Sequence, residues 1–247
     1  MKKVVIIPAR YNSTRLPGKP LQDIAGKPMV VRVCEAVDAS QFTEVVVATD
    51  DERITQAVEA AGYRVVMTQA DHLSGTDRLQ EAASKLGLLD DDIVINLQGD
   101  EPLMPSENLQ QVASLLEQSP DASVATLYEE VSVEEADNPN IVKLVQGQDN
   151  RVLYFSRASI PFDRDNTRQQ TDSLKRHVGV YAYRKKALDQ FTNYAEGQLE
   201  ALEKLEQLRF MENGHFINAD KAQRPIPVGV DTPEDLATVR ALFEEQS

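Results

Sequence analysis

The sequence predicts an open α/β fold, a mostly parallel sheet with helices on both faces, carrying a smaller mixed α/β insertion. Three observations predict it. Short apolar runs alternate with stretches of helical period over the first 120 residues, the spacing that parallel βαβ crossovers require. The apolar runs are continuous, as in strands covered on both sides. The 247 residues contain no internal repeat, low-complexity tract or Pro/Gly-rich linker, so the second half reads as an insertion into one compact unit.

Taken in order, residues 4–7 form a buried strand, and Pro28 opens an amphipathic helix through residue 37, proline being tolerated in a first turn. Residues 44–49 are a second strand, and 51–61 a helix stopped by Gly62. Residues 63–67 are a third strand, and Ser74 caps a helix through 86 that Gly87 ends. Residues 93–97 are a fourth strand, followed by a helix over 106–118. The pattern then loosens: strands are expected at 124–128, 141–145, 152–155 and 178–183, with an exposed loop near 166–174. A helix over 199–211 carries an apolar stripe at 199, 202, 205 and 208, suited to packing on a sheet or on a second subunit. A final strand at 224–230 precedes a helix from Pro233.

Composition narrows the function. Hydrophobic residues make up 41% and charged residues 27%, ordinary for a globular protein. No run of about 18 apolar residues occurs, and the opening stretch 4–7 is too short for a secretory signal. Cys34 is the only cysteine, so neither an intrachain disulfide nor a cysteine-based zinc site is expected. A reducing, cytoplasmic setting follows, with no membrane partner. The net charge of −14 argues against a nucleic-acid-binding surface. Yet the first 28 residues hold Lys2, Lys3, Arg10, Arg15, Lys19 and Lys27 against Asp23 alone.

Ligands of open α/β sheets bind beyond the carboxyl ends of the strands, and the charges concentrate there. The loop after the first strand carries Arg10, Arg15 and Lys19 with the hydroxyls of Ser13 and Thr14. It is neither a G-x-G-x-x-G fingerprint nor a Walker A loop, since Lys19 is followed by Pro20. It can wrap a triphosphate, with guanidinium forks for paired oxygens and Lys19 as a point charge. Asp100 follows Gly99 at the end of the fourth strand, and Asp231 follows residues 228–230. Two carboxylates beside a polyphosphate suit Mg²⁺, which takes one or two protein oxygens and keeps waters. Each also reads as an ordinary turn or capping aspartate, Asp231 before Thr-Pro-Glu above all. Asp90, Asp91 and Asp92 precede their strand and fall at the opposite end.

These segments together resemble the 3-deoxy-manno-octulosonate cytidylyltransferases, almost end to end. The matching runs are IIPARYNSTRLPGKPL, ATDDERI, DHLSGTDR, NLQGDEP, YFSRASIPFDRD, RHVGVYAYR, LEKLEQLR and GVDTPEDL. The first is shared with sialic acid cytidylyltransferases and other nucleotidyltransferases. The combination of QGDEP, YFSRxxIP and LEQLR is more specific.

The resemblance implies a nucleotide-diphospho-sugar transferase type of fold. Residues 1–122 plus 214–247 would be the nucleotide-binding core, and 123–213 the sugar-binding and dimerisation segment. It implies transfer from CTP to an octulosonate sugar acid (Kdo), with Mg²⁺, in a cytoplasmic homodimer serving lipopolysaccharide synthesis. Lys19, Arg10 and Asp100 are the implied catalytic residues. Arg10, Arg15 and Lys19, with Ser13 and Thr14 beside them, would hold the CTP phosphates. Ser74, Gly75 and Arg78, with Pro8 and Ala9, would line the cytidine pocket. Gln98 would contact nucleotide or sugar, and Asp100 and Asp231 would bind the metal. Arg157, Arg164, His177, Tyr181, Glu206 and Gln207 would surround the sugar acid. On composition alone His177 also reads as a core histidine; His72 reads as loop structure and His215 as structural.

One departure stands out. Where the family often has Ser/Thr-Pro-Leu-Glu, this chain has Gly197-Gln198-Leu199-Glu200, which leaves the 8-amino form of the sugar (Kdo8N) as an alternative acceptor. Another sugar nucleotidyltransferase and a non-catalytic nucleotide-binding module are the remaining readings.

Overall fold

The structure, a computed structural model, describes residues 1–12, 16–72, 74–165, 174–227 and 229–245. β1 (Lys3–Ala9) sends Val5, Ile7 and Ala9 to one face of the sheet and Val4 and Ile6 to the other. That is the two-residue alternation of a strand, and all five are buried. A small hairpin, β2 (Asp23–Ile24) and β3 (Lys27–Pro28), leads into α1 (Met29–Glu35). β4 (Glu44–Thr49), α2 (Glu52–Ala60), β5 (Arg64–Met67), α3 (Gly75–Lys85), β6 (Ile93–Asn96) and α4 (Ser106–Glu117) continue the alternation. Asp51 and Ser74 cap α2 and α3 by accepting from the Arg53 and Asp77 amides.

The second half comprises β7 (Val124–Glu130), α5 (Val133–Ala136), β8 (Lys143–Gln146), β9 (Val152–Ser156), β10 (Lys175–Arg184) and α6 (Lys185–Phe191). It continues with α7 (Gln198–Glu203), α8 (Gln207–Glu212), β11 (Ile217–Lys221) and α9 (Pro233–Glu245). The sheet runs β11-β7-β10-β6-β1-β4-β5. β1 pairs in parallel with β4 and β6, β4 with β5, and β7 with β11. β10 runs antiparallel between β6 and β7, and the β8–β9 hairpin attaches to its start. One core packs α1, α2 and α4 on one face, and a second packs α3, α6 and α8 on the other. A third, smaller core holds α9 against Leu16, Ile24 and Met29. The carboxyl ends of β1, β4, β5 and β6 therefore share one edge, and the loops that leave them face one another there.

Two expected elements need correction, and β11 and α6 form where none was expected. The strand expected at 224–230 has no ladder partner among the described residues. Pro225 and Pro227 remove donors, and the Val230 amide instead donates to the Asp100 carbonyl at 2.8 Å. The sheet's last strand is β11, whose alternation of Ile217 and Ala219 with Asn218 and Asp220 was passed over. The helix expected over 199–211 is two helices, because Lys204 is left-handed at φ 53° and ends α7. Its apolar stripe is split accordingly: Leu205 and Leu208 are buried, whereas Leu202 is 74% exposed. α6 was not foreseen. The loop expected at 166–174 lies, apart from Leu174, outside the described residues.

Candidate active site

Lys19 stands at the start of a 3-10 turn (Lys19–Leu21), preceded by Gly18 at φ 63°. A side chain at Gly18 would crowd the Tyr11 ring at 3.2 Å, and Arg53 stacks on that ring 3.3 Å from its centroid. So placed, the Lys19 ammonium donates to Asp100 Oδ2 at 2.6 Å and to Asp231 Oδ1 at 3.0 Å. The acids come from the end of β6 and the loop before α9, and they meet on one cation. Asp231 is not the cap of α9. Thr232 and Asp235 do that work: Asp235 Oδ2 accepts from the amides of Asp231 and Thr232, and Thr232 Oγ1 accepts from the Asp235 amide.

The pair passes a chemical test for a hard cation. Both donors are carboxylate oxygens converging on a positive charge, the donor type that Mg²⁺ prefers. Among the described residues no three His, Cys, Asp or Glu side chains converge, so water and ligand oxygens would have to complete the sphere. Behind Asp100, Glu101 is pushed up to about 8 by burial and by the Asp100 charge.

A cavity of about 630 Å³ opens beside this triad. Its first wall is the end of β1: Pro8, Ala9, Arg10 and Asn12. Ser74 and Gly75 bring the N-terminus of α3 to its rim, where a helix presents free amides and a positive dipole end. Arg78 lines it while only 3% exposed; Nη1 donates to Thr68 Oγ1 and lies 3.5 Å from Asp50 Oδ1. Gln98, Gly99 and Asp100 form the floor. Ser13, Thr14 and Arg15 lie outside the described residues.

The opposite wall holds Asn96, Tyr181, Tyr183, Glu206, Gln207 and Phe210. Asn96 Oδ1 and Glu206 Oε1 are buried without a hydrogen-bond partner. Burial raises the Glu206 pKa, and the hydroxyls of Ser74 and Thr76 pull it back. This wall has acceptors to offer and aromatic faces around them, as a polyhydroxylated ligand requires.

Comparison with known proteins gives the family. The Cytidylyltransferase family profile matches residues 4–221. The 3-deoxy-manno-octulosonate cytidylyltransferase of Francisella philomiragia is 49% identical over 97% of this chain and 98% of its own. That of Cellvibrio japonicus is 50% identical over 99% of both. The chain belongs to the 3-deoxy-manno-octulosonate cytidylyltransferases. A solved CMP:2-keto-3-deoxy-manno-octonic acid synthetase complexed with CTP superposes with a TM-score of 0.92 at 43% identity, covering all of both chains. A cytidylyltransferase from Leptospira borgpetersenii, at 20% identity and a TM-score of 0.63, shares the fold.

Not every residue named from the family resemblance reaches the cavity. Pro8, Ala9, Arg10, Lys19, Ser74, Gly75, Arg78, Gln98, Asp100, Tyr181, Glu206, Gln207 and Asp231 line it. Arg157, Arg164 and His177 do not. Arg164 is exposed. His177 lies behind Tyr181, edge-on to Phe155, with Nε2 3.1 Å from Thr126 Oγ1. Burial takes its pKa down to about 3, so the ring is neutral. His215 bridges Tyr194 and Ser123 behind Phe210, whereas His72 lines the cavity and pairs with Glu81. Asn12, Thr76, Asn96, Tyr183 and Phe210 were missed. Asn96 alone left a signal, a polar residue inside an apolar strand.

Proposed function

We propose that this cytidylyltransferase transfers the cytidylyl group of CTP to the anomeric oxygen of 3-deoxy-D-manno-octulosonate, forming CMP-Kdo as the α–β phosphoanhydride breaks and pyrophosphate leaves. The observation that carries it is the Lys19 ammonium shared by Asp100 and Asp231 at the mouth of the cavity. In-line attack at the α-phosphorus needs positioning and neutralisation of charge more than covalent help. Arg10 and Lys19 supply positive charge where pyrophosphate departs, and the α3 N-terminus offers amides to a phosphate. Arg78, held by Thr68 and Asp50, faces the nucleotide end. Tyr181, Glu206 and Gln207 orient the sugar acid. Asp100 and Asp231 would hold Mg²⁺, which when bound polarises the α-phosphate and lowers the pKa of an oxygen beside it.

The proposal includes a cytoplasmic homodimer. Leu153, Phe162 and Leu202 are exposed at 61%, 84% and 74%, and all three fall between residues 123 and 213. Among the described residues no helix is long and apolar enough to cross a membrane. The Glu206 oxygen without a partner favours a second reading of the acceptor, Kdo8N, whose ammonium a buried carboxylate would attract.

The test is pyrophosphate release with CTP and Mg²⁺, offering Kdo and Kdo8N side by side, with UTP and a hexose 1-phosphate as the control pair. A CMP-sugar from Kdo is expected. Turnover of the control pair alone would overturn the assignment, as would metal-independent CTP binding without turnover of either acid.

A further inference from the structure

Two cations of the second half are engaged by main-chain oxygens. Lys143 has no exposed surface, and its ammonium donates to the carbonyls of Asn138 at 3.0 Å, Ile141 at 2.5 Å and Arg157 at 2.6 Å. An ammonium has three protons, so the cage uses them all. Arg157, only partly buried, commits three of its five N–H donors in a similar way. Its Nε donates to the Glu203 carbonyl at 2.7 Å, Nη1 to the Pro139 carbonyl at 3.1 Å, and Nη2 to the Lys204 carbonyl at 3.4 Å. Its backbone amide, with the Ser156 hydroxyl, binds the Glu203 carboxylate at 2.9 and 2.6 Å. Two of these carbonyls, of Glu203 and Lys204, are at the C-terminal end of α7, where a helix leaves acceptors unsatisfied and a cation is favoured. From the other side, Arg209 of α8 clasps Glu200 of α7 through two hydrogen bonds of 2.7 and 2.6 Å. The corner between α7 and α8 is thus clamped at both ends, and it carries Glu206 and Gln207 to the cavity wall.

We propose that Arg157 is a positioning residue for the acceptor: clamped on the α7 terminus and braced by Lys143, it sets where Glu206 and Gln207 stand and does not itself touch the sugar acid. This rests on the reading of that wall as the acceptor side. It accounts for a cation in a segment expected to meet a carboxylate, yet whose guanidinium is already committed to three main-chain oxygens.

The experiment compares Arg157→Ala with the parent in steady-state kinetics. The KM for Kdo should rise about 10- to 100-fold, the cost of a misplaced contact, while the KM for CTP stays within about twofold. Arg157→Lys, which keeps one donor for a carbonyl, should recover part of the loss. In a Glu206→Ala, Gln207→Ala background, Arg157→Ala should add nothing further, because residues acting through one another are not additive. Multiplying effects, or a penalty that vanishes when the carboxamide of Kdo replaces the acid, would show direct recognition and overturn the proposal. Should Arg157→Ala fail to fold, Arg157→Lys is read in the same two comparisons. If the Glu206→Ala, Gln207→Ala enzyme shows an unchanged KM for Kdo, the acceptor wall itself is misassigned, a separate failure.

Discussion

A Cβ placed on Gly99 would lie 2.7 Å from the carbonyl oxygen of Pro8. The ends of β6 and β1 therefore meet backbone to backbone at the cavity floor, and Asp100 is delivered toward Lys19 by a contact only glycine permits. Gly99→Ala should push the two strand ends apart. Overpacking of this kind costs about 1–3 kcal/mol, measurable by urea denaturation, and kcat should fall even where the protein remains folded.

Lys19→Met removes the cation on which both acids converge. Losing one group aimed at developing charge costs about 10²–10³ in rate, and Asp100→Asn should cost as much. Both variants should keep the parent's far-UV circular dichroism. Turnover within about tenfold of the parent in either would remove that residue's assigned role.

Chelation should abolish turnover and added Mg²⁺ restore it. Asp231→Asn halves the charge of the donor pair, so the Mg²⁺ concentration giving half-maximal rate should rise, because affinity at all-oxygen sites follows ligand charge. An unchanged metal titration would place the ion elsewhere.

His177 should make the protein acid-sensitive. Burial lowers its pKa from 6.5 to about 3, so between those values the unfolded chain binds a proton that the native ring refuses. The stabilisation is complete above pH 6.5 and is lost as pH falls toward 3, with a slope of up to about 1.4 kcal/mol per unit for one proton. A His177→Gln variant should show a shallower loss of stability than the parent over that window in denaturation at stepped pH. Parallel curves would mean that the ring is hydrated in the native state.

The element order of the first half was legible because each signal is local. Apolar runs such as residues 44–49, caps such as Ser74 and stops such as Gly62 act on their own neighbours. The second half was harder. β11 is short and alternates, and the α7–α8 break depends on Lys204 adopting a left-handed conformation that no adjacent glycine announces. In the site, the carboxyl ends of buried strands pointed to Lys19 and Asp100; Asp231 was reached through a strand at 224–230 that the described residues do not form, and Thr76, Tyr183 and Phe210 look like any polar or core residues until the fold turns them inward.

What the chain alone determined was which chemical groups would be present: cations after the first strand, a carboxylate after a later one and another before the last helix, and an arginine and tyrosine segment between them. Only the tertiary structure decided their pairing. It brought Asp100 and Asp231 to a single ammonium, left two acceptor atoms buried in the cavity wall, and set Arg157 on a helix end. Strand and helix propensities are written in neighbouring residues. The direction of a side chain and the water it loses depend on atoms that arrive from elsewhere in the chain.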